Sequence, residues 1–406
     1  MNVCMISYSK YYDSRPFRYA LSLIEKGCNV DMICLGDKGH PNHEVMDGIC
    51  VYAIRTREKD EQSPFSYLKN YTFFFFLSAF LCTKLYLKKK YDVIHFHNIP
   101  DFGVFCTLIP KLAGAKVILD IHDVVPEFYM RKFGVPENHI LIKFLKWIEK
   151  LSCRYADHVI TVTDIWEQRL VERSIEPSKC TVILNAPDDR LFKKNGHVSK
   201  KKKDAFLLSY HGNLKEPTGV DIAIRAMAIA KKRIPSLRLQ IIGGNEGPVF
   251  DCLKTLTLRL KIEDSVLFKR SVPVDKIPQL IGQADIGIDP KRNGVYAGET
   301  LSVKAMEYLA MGIPLIVSRT RGAQDYFNDS MVMFFEPENE NDLARCIVEL
   351  YRSPQKRSML SQNAQRFNSE YSWERYKKTY HTLLHDLCTG SKDGAWTTQT
   401  EHGDIS

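Results

Sequence analysis

The sequence predicts an α/β protein built from two tandem, doubly wound parallel sheets. Three observations lead there. The chain has 406 residues, more than one core usually organises. Short β-branched runs alternate with amphipathic helical stretches. That alternation stops near residue 195 and restarts near 205.

In the first half, strands are predicted at Val3–Tyr8, Val30–Leu35, Val51–Arg55, Val93–His97, Val117–His122, His158–Val162 and Val182–Leu184. Helical periodicity lies between them, as at Phe17–Lys26, Leu141–Tyr155 and Trp166–Glu172. The runs VILDIH and HVITVT are apolar without alternation, the pattern of strands covered on both faces. A parallel sheet with helices on both sides follows. In the second half, strands are predicted at Phe206–Tyr210, Leu237–Ile242, Val266–Phe268, Ile286–Asp289, Leu315–Ser318 and Met331–Phe334. The helical patterns IAIRAMAIAKKR, PVFDCLKTLTLRL, VKAMEYLAM and DLARCIVELYRS separate them. Lys200–Lys203 reads as an exposed connector. The expected domains are therefore 1–195 and 205–370, with a helix over 371–388 returning to the first and an aperiodic, disordered tail over 389–406.

Composition narrows the class. Hydrophobic residues make up 44% and charged residues 26%, which excludes a disordered or fibrous chain. A net charge of +9 is mild for this length, and the basic residues are dispersed, so a nucleic-acid reader is not expected. The eleven cysteines include no CxxC pair and follow no zinc spacing; most sit in apolar runs, as core residues of a reducing compartment do. The start, MNVCMISYSK, does not read as a signal peptide, and the apolar run Phe73–Cys82 is about half of the ~20 residues that span a bilayer. A cytoplasmic protein is expected, with one membrane question open. SYLKNYTFFFFLSAFLCTKLYLKKKYD and HILIKFLKWIEKLSCR mix apolar faces with lysines, as both interfacial helices and ordinary sheet-covering helices do.

In doubly wound sheets ligands bind at the carboxyl ends of the strands, so the segments that follow strands carry the chemistry. The most informative is GETLSVKAMEYLAMGIP, 298–314. Ser302 suits a helix N-cap, Val303–Met311 a helix and Gly312 its stop. Glu299 then precedes the helix, Glu307 lies inside it, and the amides near Leu301 and Ser302 offer an anion site to which Lys304 adds positive charge.

With YDVIHFHN, DIHDVVPE, EKLSCRYADHVITVT, VILNAPDDRLF, YHGNLKEPTGVDIAIRAM, LQIIGGN and ADIGIDP, that segment resembles the retaining family 4 glycosyltransferases. The bacterial enzymes of exopolysaccharide, capsule and O-antigen assembly are the subgroup it is most similar to. The resemblance extends to about Leu387 and implies the GT-B fold, two Rossmann-like domains facing each other across a cleft. It implies a nucleotide-diphosphate sugar, UDP- or GDP-linked, as donor and a glycan or lipid-linked hydroxyl as acceptor. No cofactor or metal is implied, and peripheral contact with the inner membrane fits.

Residue by residue, the resemblance gives Glu299 to the donor sugar, Glu307 to the ribose hydroxyls, and Thr300, Leu301 and Ser302 to the diphosphate. His122 matches the histidine near the donor's reacting end. Gly212 and Gly243 let backbone approach the nucleotide, and Ser271 and Val272 fall where the base is contacted. The family has basic residues at the positions held here by Asn213 and Thr218, so either Lys304, Lys215 or Arg292 replaces that charge or diphosphate binding is weaker than usual. Asp13, Arg15 and Arg18, in a predicted loop over Ser9–Arg18, either face the acceptor or form a solvated connector. Two rival readings stay open: a nucleotide-sugar epimerase on the same scaffold, and a non-catalytic nucleotide-binding subunit of a glycan assembly complex.

Overall fold

The computed structural model describes residues 1–12, 14–37, 41–56, 64–193, 205–244 and 246–390. It divides into two units, Met1–Leu184 with the chain from Tyr376 onward, and Asn185–Arg375. The second unit thus takes up the chain earlier than residue 205. One reason is Asp189, whose Oδ2 accepts a hydrogen bond from the Glu374 amide at 3.0 Å. The Lys200–Lys203 connector, and the tail from residue 391, lie outside the described residues.

The first unit holds β1 (Asn2–Lys10), β2 (Asn29–Gly36), β3 (His43–Met46), β4 (Ile49–Thr56), β5 (Val93–His97), β6 (Lys116–Ile121), β7 (His158–Thr161) and β8 (Cys180–Val182). Their order is β3-β4-β2-β1-β5-β6-β7-β8. Every pairing is parallel except β3 with β4. β3, HEVM, is too short and polar to be seen in the pattern; it closes an edge as a hairpin partner. β5, β6 and β7 are almost wholly buried, as their unbroken apolar runs require.

The second unit holds β9 (Phe206–His211), β10 (Leu237–Ile242), β11 (Val266–Lys269), β12 (Ile286–Asp289), β13 (Leu315–Ser318) and β14 (Met333–Phe335). The order is β11-β10-β9-β12-β13-β14, all parallel. The chain moves outward from β9 one way, returns, and moves outward from β12 the other way. The reversal leaves a crevice at the carboxyl ends of β9 and β12.

A buried polar cluster stands at the carboxyl side of the first sheet. Asp120, at the end of β6, is fully buried and is gripped by Arg15, with Nε to Oδ2 at 2.8 Å and Nη2 to Oδ1 at 3.0 Å. Arg15 also donates to the Ile183 carbonyl at 2.9 Å. This corrects the expected loop. The helix Ser14–Ile24 begins before Arg15, which turns inward because a buried carboxylate needs a cation. Arg18 is buried on the same helix, so neither arginine is a solvated connector; Asp13 lies outside the described residues.

His95 and His97 stack at 4.1 Å between centroids, and the His97 Nδ1 lies 3.2 Å from Asp120. With Asp120 they place three ligand-type atoms within 4.8 Å of one another, but both carboxylate oxygens are already committed to Arg15. The helix Trp373–Thr389 brings Tyr380 to this cluster, its hydroxyl 2.9 Å from the His95 Nδ1. Lys377 with Glu25 at 3.1 Å holds the same helix to the unit.

Burial, with His95 alongside, pushes the His97 imidazole down to about 3. An unfolded histidine titrates near 6.5. The neutral form is therefore favoured by folding, and its stabilisation is complete above about 6.5 and is lost as pH falls from there towards 3. Asp120 acts in the same direction. Burial alone would raise it, but Arg15 and the two imidazoles hold it well below the usual carboxylate range. Urea unfolding between pH 6.5 and 4 should show stability falling with acidification, and His97→Gln should flatten that slope by up to ~1.4 kcal/mol per pH unit. A variant with the wild-type slope would remove His97 as a cause.

Candidate functional site

The crevice between β9 and β12 gathers more of the expected residues than any other place in the second unit. The helix Val303–Ala310 starts beside it and ends, as expected, at Gly312 with φ 68°. Ser302 occupies the N-cap position but its side chain does not cap the helix; its hydroxyl lies 3.5 Å from the Lys304 ammonium. The Lys304 Nζ reaches 2.9 Å from Asp289 Oδ1 at the end of β12 and stands 5.3 Å over the Tyr210 ring.

Burial would lower Lys304, yet Asp289 more than offsets this and holds it above its ordinary value. Burial would likewise raise Asp289, but Lys304 and then Lys291 keep it below the usual carboxylate range. Both side chains therefore stay charged through the neutral range. Lys291 donates to the Thr300 carbonyl at 2.7 Å and to its hydroxyl. Two ammonium groups thus flank one buried carboxylate immediately before the helix.

Glu307 sits on the fifth position of that helix and is mostly buried. One of its oxygens, Oε2, meets the His211 Nε2 at 2.5 Å. His211 ends β9 and rests edge-on against Tyr308 at 4.8 Å. The pair fixes the carboxylate on the crevice side of the sheet. Glu299 lies in the turn Ala297–Glu299, buried, with Oε1 3.7 Å from Arg321 Nη1.

The glycines set the backbone geometry. Gly243, after β10, packs so closely on the loop after β9 that a Cβ there would lie 1.8 Å from the Gly212 carbonyl oxygen. No side chain fits, which keeps the ends of β9 and β10 flush. Asn245 lies outside the described residues.

Other expected residues are placed differently. Arg292 is committed within the protein, bidentate to Asp221 at 3.1 and 2.9 Å and paired with Glu216 at 2.8 Å. It is therefore not a spare charge for a phosphate, because two carboxylates already claim it. Asn213 and Lys215 are exposed in the loop after β9, and the Asn213 carbonyl accepts from the Tyr210 hydroxyl at 2.7 Å. The Thr218 hydroxyl turns back onto the Lys215 carbonyl. Ser271 and Val272 follow β11, the edge strand, two positions from the crevice, and Ser271 is exposed.

In the first unit His122 lies just past β6, half-buried, and not inside the strand. Its amide donates to the Asn98 Oδ1 at 3.1 Å, and its Nδ1 is buried without a hydrogen-bond partner among the described residues. Asn98 also donates to Asp101 Oδ1 at 2.9 Å and to the Asp123 carbonyl at 2.6 Å, so it ties the ends of β5 and β6 together.

Sequence reasoning did not single out His211, Asp289, Lys291 or Asn98. Three of the four stand at or just after the end of a predicted strand, and His211 immediately follows one. Their position carried a signal; their partners, 9 to 96 residues away, did not.

The family model for glycosyltransferase family 4 matches residues 17–190, and that for glycosyl transferases group 1 matches 192–367. An uncharacterized glycosyltransferase of Methanocaldococcus jannaschii is 24% identical over 88% of this chain and 90% of its own length. A Bacillus subtilis protein bearing the name glycosyltransferase EpsD is 26% identical over 75% of this chain and 79% of its own. A Salmonella typhimurium protein named for colanic acid biosynthesis, WcaL, is 26% identical over about half of each chain, 49% and 48%. Among solved structures, sucrose-phosphate synthase of Thermosynechococcus elongatus superposes with a TM-score of 0.75 at 17% identity, over 96% of this chain and all of the other. Anabaena HepE in complex with UDP and glucose gives 0.72 at 15%, over 95% of this chain and all of the other. These likenesses establish the GT-B glycosyltransferase fold.

Lys304→Met should remove the cation from a carboxylate that is 1% exposed and so destabilise the second unit by about 3–5 kcal/mol. The double change Lys304→Met with Asp289→Asn should recover part of that loss, and a double-mutant cycle in urea measures the coupling. Additive losses would mean that the two groups do not depend on each other.

Proposed function

The chain belongs to the family 4 glycosyltransferases, and on that premise we propose that it moves a sugar, with retention of configuration, from a UDP- or GDP-sugar to a hydroxyl of a lipid-linked or growing glycan in cell-surface polysaccharide synthesis. The observation that carries the reading is the cluster at the crevice of the second sheet: Glu307 held by His211, Lys304 and Lys291 around Asp289, and bare glycine backbone beside them. These are the parts a nucleoside diphosphate needs. A carboxylate accepts two hydrogen bonds from a ribose diol, and ammonium groups and helix-end amides oppose a diphosphate.

On this reading Glu307 holds the ribose through the oxygen that His211 leaves open. The amides of Thr300, Leu301 and Ser302 take the diphosphate. Lys291 and Lys304 supply the charge that Asn213 and Thr218 lack, which is why no metal is needed. Glu299 binds sugar hydroxyls, and His122 serves the reacting end of the donor. The anomeric carbon loses its bond to the phosphate oxygen as the acceptor oxygen bonds to the same face. The acceptor proton passes to the departing phosphate. Stabilising that leaving group is the main catalytic demand, and fixed charges and amides meet it without reorganisation. The UDP complex of HepE and the polysaccharide pathway in the name of WcaL support donor type and pathway by likeness.

The test is thermal unfolding with a panel of nucleotide sugars in the presence of EDTA. One base should stabilise the wild type by ~2.7 kcal/mol at a hundredfold excess over Kd. Glu307→Gln, which keeps the shape, should lose most of that gain. Product analysis should then give an axial or equatorial linkage matching the donor. Silence from every donor would overturn the donor site, and an inverted product would overturn retention.

A further inference from the structure

The donor site proposed above leaves one cation at the edge of the crevice without a task. β13 ends at Ser318, and after a two-residue turn Arg321 opens the short helix Arg321–Gln324. β13 lies next to β12 in the sheet, so this turn stands at the same carboxyl edge as Asp289.

Packing fixes where the arginine starts. Gly322 lies so flat on the turn Ala297–Glu299 that a Cβ on it would come 2.7 Å from the Glu299 carbonyl carbon and oxygen, and 3.0 Å from the Thr300 carbonyl oxygen. Those obstacles are backbone, so no side chain fits there and the two segments stay in contact. The residue before Gly322 is thereby held beside Glu299. The Arg321 Nη1 stands 3.7 Å from Glu299 Oε1, and among the described residues the guanidinium makes no closer polar contact.

A separation of 3.7 Å is too long for a hydrogen bond. The Arg321 side chain is 60% exposed, whereas that of Glu299 is 11% exposed. Other arginines of the unit reach their carboxylates: Arg292 lies 2.9 Å from Asp221, Arg319 2.9 Å from Asp329 and Arg345 2.7 Å from Asp342. A loose pair open to water contributes little to stability, so the fold does not account for Arg321.

Position selects the ligand. The cations are spread along the segment that leads into the helix Val303–Ala310. Lys304 stands 3.5 Å from the Ser302 hydroxyl, Lys291 holds the Thr300 carbonyl, and Arg321 stands at Glu299. The first two serve the diphosphate in the donor reading, and Glu299 serves the sugar. The guanidinium therefore meets the sugar. A hexose with a hydroxymethyl group at C6 offers it only a neutral acceptor. A hexuronate offers a planar carboxylate, which matches the guanidinium fork bidentate.

We propose that Arg321 is a specificity-determining residue and that the donor sugar is a hexuronate, its C6 carboxylate held by the Arg321 guanidinium while Glu299 takes ring hydroxyls. The inference rests on the donor site proposed above and deepens it by naming the class of sugar.

Calorimetric titration of the full chain with UDP, with GDP and with donor pairs that differ only at C6 tests it. The pairs are UDP-glucuronate with UDP-glucose, UDP-galacturonate with UDP-galactose, and GDP-mannuronate with GDP-mannose. One uronate should bind about tenfold or more tightly than its neutral partner, which is ~1.4 kcal/mol. Arg321→Gln should bring that ratio down to about twofold by weakening the uronate alone, and Arg321→Lys should keep part of it. Arg319→Gln removes the same charge two residues away and should leave the ratio at its wild-type value, which separates a direct contact from the general field of the unit. The Arg321 side chain is exposed, so its variants should unfold at the wild-type temperature. A nucleoside diphosphate that binds while each uronate and its neutral partner bind alike overturns this inference and leaves the donor site standing. Binding of neither UDP nor GDP overturns the donor site and this inference with it. A uronate preference that survives Arg321→Gln overturns the role given to Arg321.

Discussion

Parallel strands cannot be joined by hairpins, and this one constraint organises both units. Each return to the sheet needs a crossover that packs in one hand, so a sheet grown in both directions from its first strand must reverse once. In the second unit the reversal falls between β9 and β12, and the two strands run on there into loops that meet where the Arg292 amide donates to the Pro217 carbonyl at 3.0 Å. In the first it falls between β1 and β5. The buried pairs Arg15–Asp120 and Lys304–Asp289 stand at those carboxyl ends.

Charge is placed at those ends at a cost, and each unit meets the cost differently. Asp120 is matched by a bidentate guanidinium, the geometry in which a buried pair recovers most of its desolvation. The result is a rigid brace that joins the first helix, β6 and the carbonyl of Ile183. Asp289 is matched by an ammonium, a point charge on a flexible stem, with a second ammonium close by. Such an arrangement can re-pair when an anion arrives, whereas the Arg15 brace has no spare donor geometry to offer. The distinction separates a carboxylate locked in a brace from one whose pairing is free to change.

The same helices that cover the first sheet present two chemistries at once. Phe74 and Cys82 seal the sheet, while residues one helical face away hold phenylalanine where a soluble helix would hold glutamate. Periodicity alone could not separate these roles, since a run of four phenylalanines is apolar on every side. The direction of each ring is set by which flank meets β1 and β4, and that is known only once the helix is docked.

Most of the architecture was legible from residues 1 to 390. Short unbroken β-branched runs bounded by turns fit strands sealed on both faces, and the helix Val303–Ala310 with its Gly312 stop is written in local propensity. The family signature around Glu299 and Glu307 was equally local. What the tertiary structure decided were the partners: Arg15 for Asp120, His211 for Glu307, Asp289 for Lys304, and Asp221 for Arg292. These pairs are separated by 15 to 105 residues and include no repeated spacing. Local sequence sets backbone conformation through sterics and hydrogen bonding within a few residues. Compensation of a buried charge is a long-range requirement, met by whichever side chain the packed sheet brings within reach.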